Sequence, residues 1–345
     1  MPAKSALKVD VAIVGAGMAG LACGRSLQAS GYSVVLLEKS RGPGGRVATR
    51  RAHATRIDHG LPFFWDQGPL TRQLIDAAIA AGLLQPWPRE RATYCHPNGN
   101  SEIGKFLARD LDVRLQHRVT KLTAIDKDLD RGKTASREPL WQLECDDLAE
   151  QFLAKAVAIA IPAPQIAELL RTADLGESTP EPTAVLAQLD AVIYDPCITV
   201  MAGYSPETPL PSWRALDFAG HSLLQWIGLD SSKRDAPVQP VFVIHSSPEF
   251  AERHLNAADL DAVAHKLLSH AAAAVPFRFT MPEWFQVHRW RYAVPKRFLH
   301  ARCLRVSAPL PLVCAGEWAL GNNIEAAIAS GQAAARSLQE SSLAG

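Results

Sequence analysis

Three glycines, Gly15, Gly17 and Gly20, stand in a GxGxxG arrangement, and an acidic residue, Glu38, follows at the end of the next apolar run. Glycine lets a strand turn tightly into a helix at the first place. At the second it lets a diphosphate approach the backbone amides, and at the third it lets helix and strand pack closely. A helix starting near Gly17, through Met18 and Ala19, points its free N–H groups and positive dipole end at the phosphates. A carboxylate at Glu38 can accept both hydroxyls of a ribose. The combination reads as a dinucleotide site.

A second turn, Arg41-Gly42-Pro43-Gly44-Gly45-Arg46, follows directly. Successive glycine amides form an anion-binding concavity, and Arg46 can add a charge-assisted contact to the same diphosphate. A plain NAD site has no need of this second loop, so FAD is the dinucleotide that the two turns together imply.

The elements around these turns define an α/β chain. Val9–Val14 is a buried parallel strand, Met18–Ala29 a helix stopped by Gly31, and Ser33–Glu38 the next strand. The periodicity predicts a helix over Leu70–Leu84 and strands over Val113–Leu122 and Trp141–Leu143, with a charged loop, Asp126–Glu138, between those two strands. Ala156–Ile161 is a third buried strand, and Arg171–Pro182 a linker or crossover. From Val185 to Pro295 short strands (Ile198–Ala202, Leu223–Leu229, Val241–His245) alternate with proline-bearing turns, and one helix, Ala258–Ala273, interrupts them. Leu312–Gly316 and Ile324–Leu338 close the chain as strand and alanine-rich helix. The expected architecture is a doubly wound, Rossmann-like FAD-binding domain with a second α+β substrate domain on a mainly antiparallel sheet. The first would comprise Met1–Gly60, Pro97–Pro164 and His300–Gly345, the second Leu61–His96 and Gln165–Leu299.

Composition narrows the partners. With 48% hydrophobic and 21% charged residues over 345 positions and a net charge of +1, the chain has no overall field to hold nucleic acid or an anionic membrane. A basic cluster from Arg41 to Arg56 is the local exception. The six cysteines are scattered, with no metal-ligand spacing, which points to a reducing compartment and no metal. The apolar stretches are broken by glycine or proline, so a cytoplasmic protein without a membrane span is expected. Oligomeric state is not legible.

Glu38-Lys39-Ser40 followed by Gly44-Gly45-Arg46 resembles the flavoprotein amine oxidase superfamily. Several further blocks look like its renalase-type branch: Arg46-Val47-Ala48-Thr49-Arg50-Arg51, Asp58-His59-Gly60, Ser222–Trp226, His245–Glu249, His288–Pro295, Ala315-Gly316-Glu317-Trp318 and Ile324–Ala327. The resemblance implies that Gly15, Gly17, Met18, Ala19, Gly20, Glu38 and Lys39 hold the ADP half of FAD, with Gly45 and Arg46 at the diphosphate. It also implies Asp58, His59 and Gly60 near the cofactor, Val119 meeting the adenine through its backbone, and Gly316 and Glu317 by the ribityl chain. The helix opening at Asn323-Ile324 would aim at the flavin N1/O2 edge, where a dipole stabilises the reduced anion. No cysteine suggests a covalent link, so the FAD is expected to be non-covalent. Ala326 replaces a usual glycine, and Leu61-Pro62-Phe63-Phe64 replaces a more polar run.

The activity so implied is oxidation of the 2- and 6-dihydro isomers of NAD(P) to NAD(P)+, with oxygen as acceptor and hydrogen peroxide as product. The rivals are a flavin-dependent amine oxidase and an FAD-binding or sensor protein without turnover. Trp226, Trp290 and Trp318 are candidates for a flat slot beside the flavin, or for plain core packing, and His245 for a polar substrate contact. Asp58 and His59 either touch the cofactor or close a turn.

Overall fold

The structure is a computed structural model and describes residues 6–88, 92–127, 138–146, 150–174, 183–306 and 310–341. In chain order it opens with β1 (Ala6–Val14), α1 (Met18–Ala29), β2 (Val34–Glu38), β3 (Thr49–Ala52), β4 (Thr55–Asp58) and α2 (Pro69–Ala80). It continues with β5 (Gln85–Pro86), β6 (Tyr94–Cys95), α3 (Ser101–Leu107), β7 (Asp112–Leu115), β8 (Val119–Lys127), β9 (Glu138–Cys145) and β10 (Gln151–Ile159). Next come α4 (Ala163–Arg171), α5 (Thr183–Asp190), β11 (Ile193–Gly203), β12 (Ala215–Asp217), β13 (Leu224–Leu229) and β14 (Val241–Ser246). The chain closes with α6 (Pro248–His254), α7 (Leu260–Ala274), β15 (Trp284–Arg297), β16 (Leu304–Arg305), β17 (Leu312–Cys314) and α8 (Ile324–Ser341).

Two units divide these elements. The first comprises Met1–Gly45, Gly104–Ile193 and Pro295–Gly345, the second Arg46–Ile103 and Tyr194–Val294. In the first, β17, β10, β1, β2 and β7 run parallel in that order, while β16 and β9 join antiparallel. Val11, Ala12, Ile13, Val35, Leu36, Val157 and Ala158 are fully buried, as a sheet covered on both faces requires. Helix α8 packs along α1 so closely that a Cβ on Gly331 would lie 2.1 Å from the Ala19 carbonyl oxygen.

The second unit is built on the five-stranded sheet β12-β13-β14-β11-β15, antiparallel at the β12/β13, β13/β14 and β14/β11 pairings. Helix α7 covers β13 and β14, burying Leu267 and Leu268 against Phe242 and Ile244. The fold is thus α/β, a Rossmann-like unit with a second unit on an antiparallel sheet.

Several details depart from expectation. Residues 46–60 and 97–103 fall in the second unit, because the β3/β4 hairpin packs on β14 and on the 3₁₀ turn Asp230–Lys233. Residues 165–193 fall in the first, where α4 packs on β8 and α5. The single strand expected over Val113–Leu122 is two, β7 and β8, broken where Gln116 takes a φ of 60°. Most of the charged loop (128–137) and of the linker (175–182) lies outside the described residues.

Candidate cofactor cradle and second-unit histidine cluster

The cradle grows from the ends of β1 and β2 in the first unit. Gly20 must lack a Cβ, because one would sit 2.0 Å from the Gly15 carbonyl oxygen, and this contact seats the first turn of α1 against the loop. Gly17, the residue before α1, has open space where a side chain would be. Helix α1 starts there with no side-chain cap and no acidic residue in its first turn, so its N-terminal amides and dipole are left to an anion.

Glu38 is buried, and its carboxylate accepts from Ala16 N and from Ser40 N, both at 2.8 Å. The carboxylate therefore ties the glycine loop to the turn after β2, and each oxygen keeps a lone pair for a ribose hydroxyl. Lys39 beside it is exposed. The second glycine turn lies on the first: Gly44 N donates to Ala16 O at 2.8 Å, and Gly45, at φ 60°, would bring a Cβ within 3.3 Å of the Gly17 Cα. Gly104 on α3, which the sequence reading did not single out, permits this fold-over. A Cβ there would lie 2.7 Å from both Gly44 Cα and Pro43 O.

Val119 opens β8 two residues after His117, whose amide donates to Glu38 O at 2.9 Å. On the other side, Gly316 N donates to Ser330 Oγ at 3.1 Å, and Glu317 is buried in the 3₁₀ turn that follows β17. Asn323 caps α8 by accepting from Ala326 N at 2.9 Å, so alanine in place of glycine at 326 is accommodated beside buried Ile324. The donor set (two glycine turns, an uncapped helix start and a buried carboxylate) fits the ADP portion of FAD.

The second unit gathers Arg46, Asp58, His59, Gly60, Trp226, His245 and Trp290, while Trp318 lies in the first. His59 is buried, its ring stacked at 5.4 Å on Trp290 and edge-on at 4.9 Å to His288. Its Nδ1 is buried without a well-formed hydrogen bond among the described residues. Trp290 Nε1 donates to His59 O at 3.1 Å. Gly60 follows, where a Cβ would collide with Arg46 O at 2.1 Å. Arg46 itself donates to the carbonyls of Tyr292 (3.4 Å) and Ala293 (3.1 Å) on β15. Arg50 reaches Gln286 Oε1 and His288 Nδ1, each at 3.3 Å.

All three imidazoles stay neutral. Burial, with His288 and Arg50 adding repulsion, pushes His59 down to about 3. Burial, with Lys233, takes His245 to about 4, and burial, with Arg50, takes His288 to about 4.

Three of the candidate residues are engaged within the protein. The Asp58 carboxylate is fully buried and spent within the protein, accepting from Thr49 Oγ1 (2.6 Å), Asn100 N (2.8 Å), Lys233 Nζ (3.3 Å) and Arg234 (3.1 Å). Asp230 completes the network with Lys233 at 2.6 Å and Arg234 at 2.7 Å. Burial raises the Asp58 carboxyl, but the two cations and two hydrogen bonds hold it below its ordinary value. Trp318 is likewise fully buried, its Nε1 bonded to Ile161 O at 3.1 Å. Trp226 belongs to the core with Ile57, Phe63 and Trp87, lying over Gly228. Neither tryptophan offers a face to a substrate. Trp290 is only half-buried, with His59 stacked on it and His288 edge-on.

A Rossmann-like sheet carrying this cradle defines a flavin-dependent oxidoreductase, and its cofactor is FAD. Residues 13–78 match the model of the NAD(P)-binding Rossmann-like domain, and residues 88–339 match that of the flavin containing amine oxidoreductase. The second match covers well over half of the chain, which therefore belongs to the flavin-containing amine oxidoreductase family. Protein FLOWERING LOCUS D of Arabidopsis thaliana is 48% identical over 56 residues, 16% of this chain and 7% of that protein. Protein FixC of Azotobacter vinelandii is 32% identical over 99 residues, 28% and 22% of the two chains. The chain thus matches under a quarter of the length of either relative. Among solved structures, wild-type putrescine oxidase bound to putrescine superposes with a TM-score of 0.66 at 15% identity, over 97% of this chain and 100% of that one. A candidate protoporphyrinogen oxidase from Exiguobacterium sp. 255-15 does so at 0.65 and 13%, over 98% and 99%. At these identities the likeness is one of fold.

Proposed function

We propose that this flavoprotein is renalase-like and oxidises 2- and 6-dihydro isomers of NAD(P) to NAD(P)+, with oxygen as acceptor and hydrogen peroxide as product. The observation that carries the reading is the withdrawal from water of three second-unit imidazoles, His59 stacked on Trp290 and edge-on to His288, and His245 beside buried Trp226. His59, His245 and His288, held near 3 to 4, are weak bases at neutral pH. An alkylammonium donor must shed a proton before it can give up hydride, and these groups are ill-suited to take it. A dihydropyridine already carries a transferable hydride and needs no base.

FAD, when bound, supplies the hydride acceptor and the route of electrons to oxygen. The chain's own part is binding and orientation. Gly15, Gly17, Gly20 and Gly45 would admit the diphosphate, with Arg46 adding charge, and Glu38 would accept the ribose hydroxyls. Val119, Gly316, Glu317, Asn323 and Ile324 would complete the cradle. The half-buried Trp290 offers a flat apolar surface to a planar ring. The sequence blocks from Arg46 to Ala327 support the substrate class.

Membership of the amine oxidoreductase family favours a second reading, oxidation of a neutral amine. Anaerobic stopped-flow separates the two. Flavin bleaching by 2- and 6-dihydro-NAD(P), at a rate nearly flat between pH 6 and 9, is the expected result. Bleaching by primary amines alone, accelerating as the ammonium deprotonates, would overturn it.

A further inference from the structure

The basic stretch from Arg41 to Arg56 is not exhausted by the cradle. In the second unit its arginines sort by partner: Arg46 bonds backbone carbonyls of β15, and Arg56 donates to Asn98 Oδ1 at 2.6 Å. Arg50 differs, because it rests on two neutral side chains, Gln286 and His288. A guanidinium only donates, so His288 Nδ1 must accept, which fixes the imidazole proton on Nε2. Arg50 is therefore a half-buried cation whose two bonded partners are neutral, with no carboxylate bonded to it among the described residues.

The acids of this region are committed elsewhere. Asp58 and Asp230 are paired with Lys233 and Arg234, two charges against two. A partly desolvated cation without a counter-ion is costly to hold, unless a ligand brings the negative charge. Two of the five guanidinium N–H groups are oriented by Gln286 and His288, which pre-sets the plane of the fork for the others.

The geometry points to Arg50 as the residue that recognises a phosphate of the electron donor, with Gln286 and His288 as positioning residues. This rests on the dihydronicotinamide reading and extends it from the ring to the anionic part of the molecule. It also excludes a cationic group from that place.

The test uses the FAD-loaded protein and three donors sharing one dihydronicotinamide ring: the dinucleotide, the mononucleotide and the riboside, which has no phosphate. Anaerobic flavin bleaching gives an apparent Kd for each. Arg50→Gln should raise it roughly 10- to 100-fold for the two phosphate-bearing donors, the loss of charge-assisted hydrogen bonds, and less than about twofold for the riboside. Arg50→Lys should recover part of the loss. In the wild type, inorganic pyrophosphate should compete with the dinucleotide and not with the riboside, which holds the proposal to account even if a variant fails to retain flavin. Equal weakening of all three donors, or no competition by pyrophosphate, would overturn the role of Arg50 alone. A wild type bleached by none of the three would overturn the dihydronicotinamide reading, and this assignment with it.

Discussion

Glu38 joins two loops with one side chain, so its removal should be felt twice. Glu38→Ala strips an acceptor from Ala16 N and Ser40 N, each bonded at 2.8 Å, and takes away the acceptor proposed for the ribose. A buried donor left unpaired, as Ala16 N would be, costs about 1–3 kcal/mol. The variant should emerge from gel filtration largely without flavin, read as the ratio of absorbance at 450 to that at 280 nm (roughly, for a typical oxidised flavin). The histidines make a second prediction. Their native pKa values lie below the ordinary 6.5, so between 6.5 and about 4 the unfolded chain binds more protons than the native one. Stability from these groups is complete above pH 6.5 and is lost as pH falls toward 4, at up to about 1.4 kcal/mol per pH unit for each histidine. Urea melts at pH 7.5, 6 and 5 should show the midpoint falling, and less steeply in His59→Gln. Glu38 and the glycines are legible in the sequence because their chemistry is local, a turn and a strand end. The Asp58 network is not. Its members carry charges that ordinarily mark a surface, and Asp58 N meets Asp230 across 172 positions of sequence.

At the scale of elements, β1, α1 and β2 are legible because unbroken β-branched runs and a glycine stop leave few alternatives. Strand β15 escapes the same reading. Its residues are half-buried or exposed almost throughout, with Arg289, Arg291, Lys296 and Arg297 among them, so no apolar alternation announces it. Its place in the sheet comes from pairing with β11. Trp318 and Trp226 look alike in sequence to Trp290, and only packing sorts core from face. The α1/α8 contact yields a prediction of this scale. Gly331→Val would force branched carbons into the Ala19 carbonyl and should destabilise by about 1–3 kcal/mol, seen as a lower urea midpoint with unchanged slope. The 3₁₀ turn at Asp230–Lys233 yields another. Lys233→Met leaves Asp58 and Asp230 with one cation between them in a fully buried place, at a cost of about 3–5 kcal/mol.

For the molecule as a whole, the cofactor is part of the stability. The glycine turns act through amides and one carboxylate, so non-covalent binding is expected, and acid precipitation should release all flavin to the supernatant. Free FAD at a thousandfold excess over its Kd should then raise the stability of the apoprotein by about 4 kcal/mol. Among the described residues no helix is long and apolar enough to cross a membrane. Composition does not change where the backbone passes from one unit to the other. Those passages fall at 45/46, 103/104, 193/194 and 294/295.

That interleaving limits how the gene can be cut. No uninterrupted stretch encodes either half: the sheet under the cradle recruits β10 and β17 from beyond an excursion into the other unit, and β11 to β15 need the distant β3/β4 hairpin. Fragments ending at 103 or at 193 would leave β1 without β10 or β10 without β17, exposing an apolar strand edge to solvent, and recombination between relatives at those junctions would inherit mismatched partners. Exchange of parts with other oxidoreductases is therefore confined to loops, and a permuted chain would tolerate new termini only on an exposed turn such as that at Ala54.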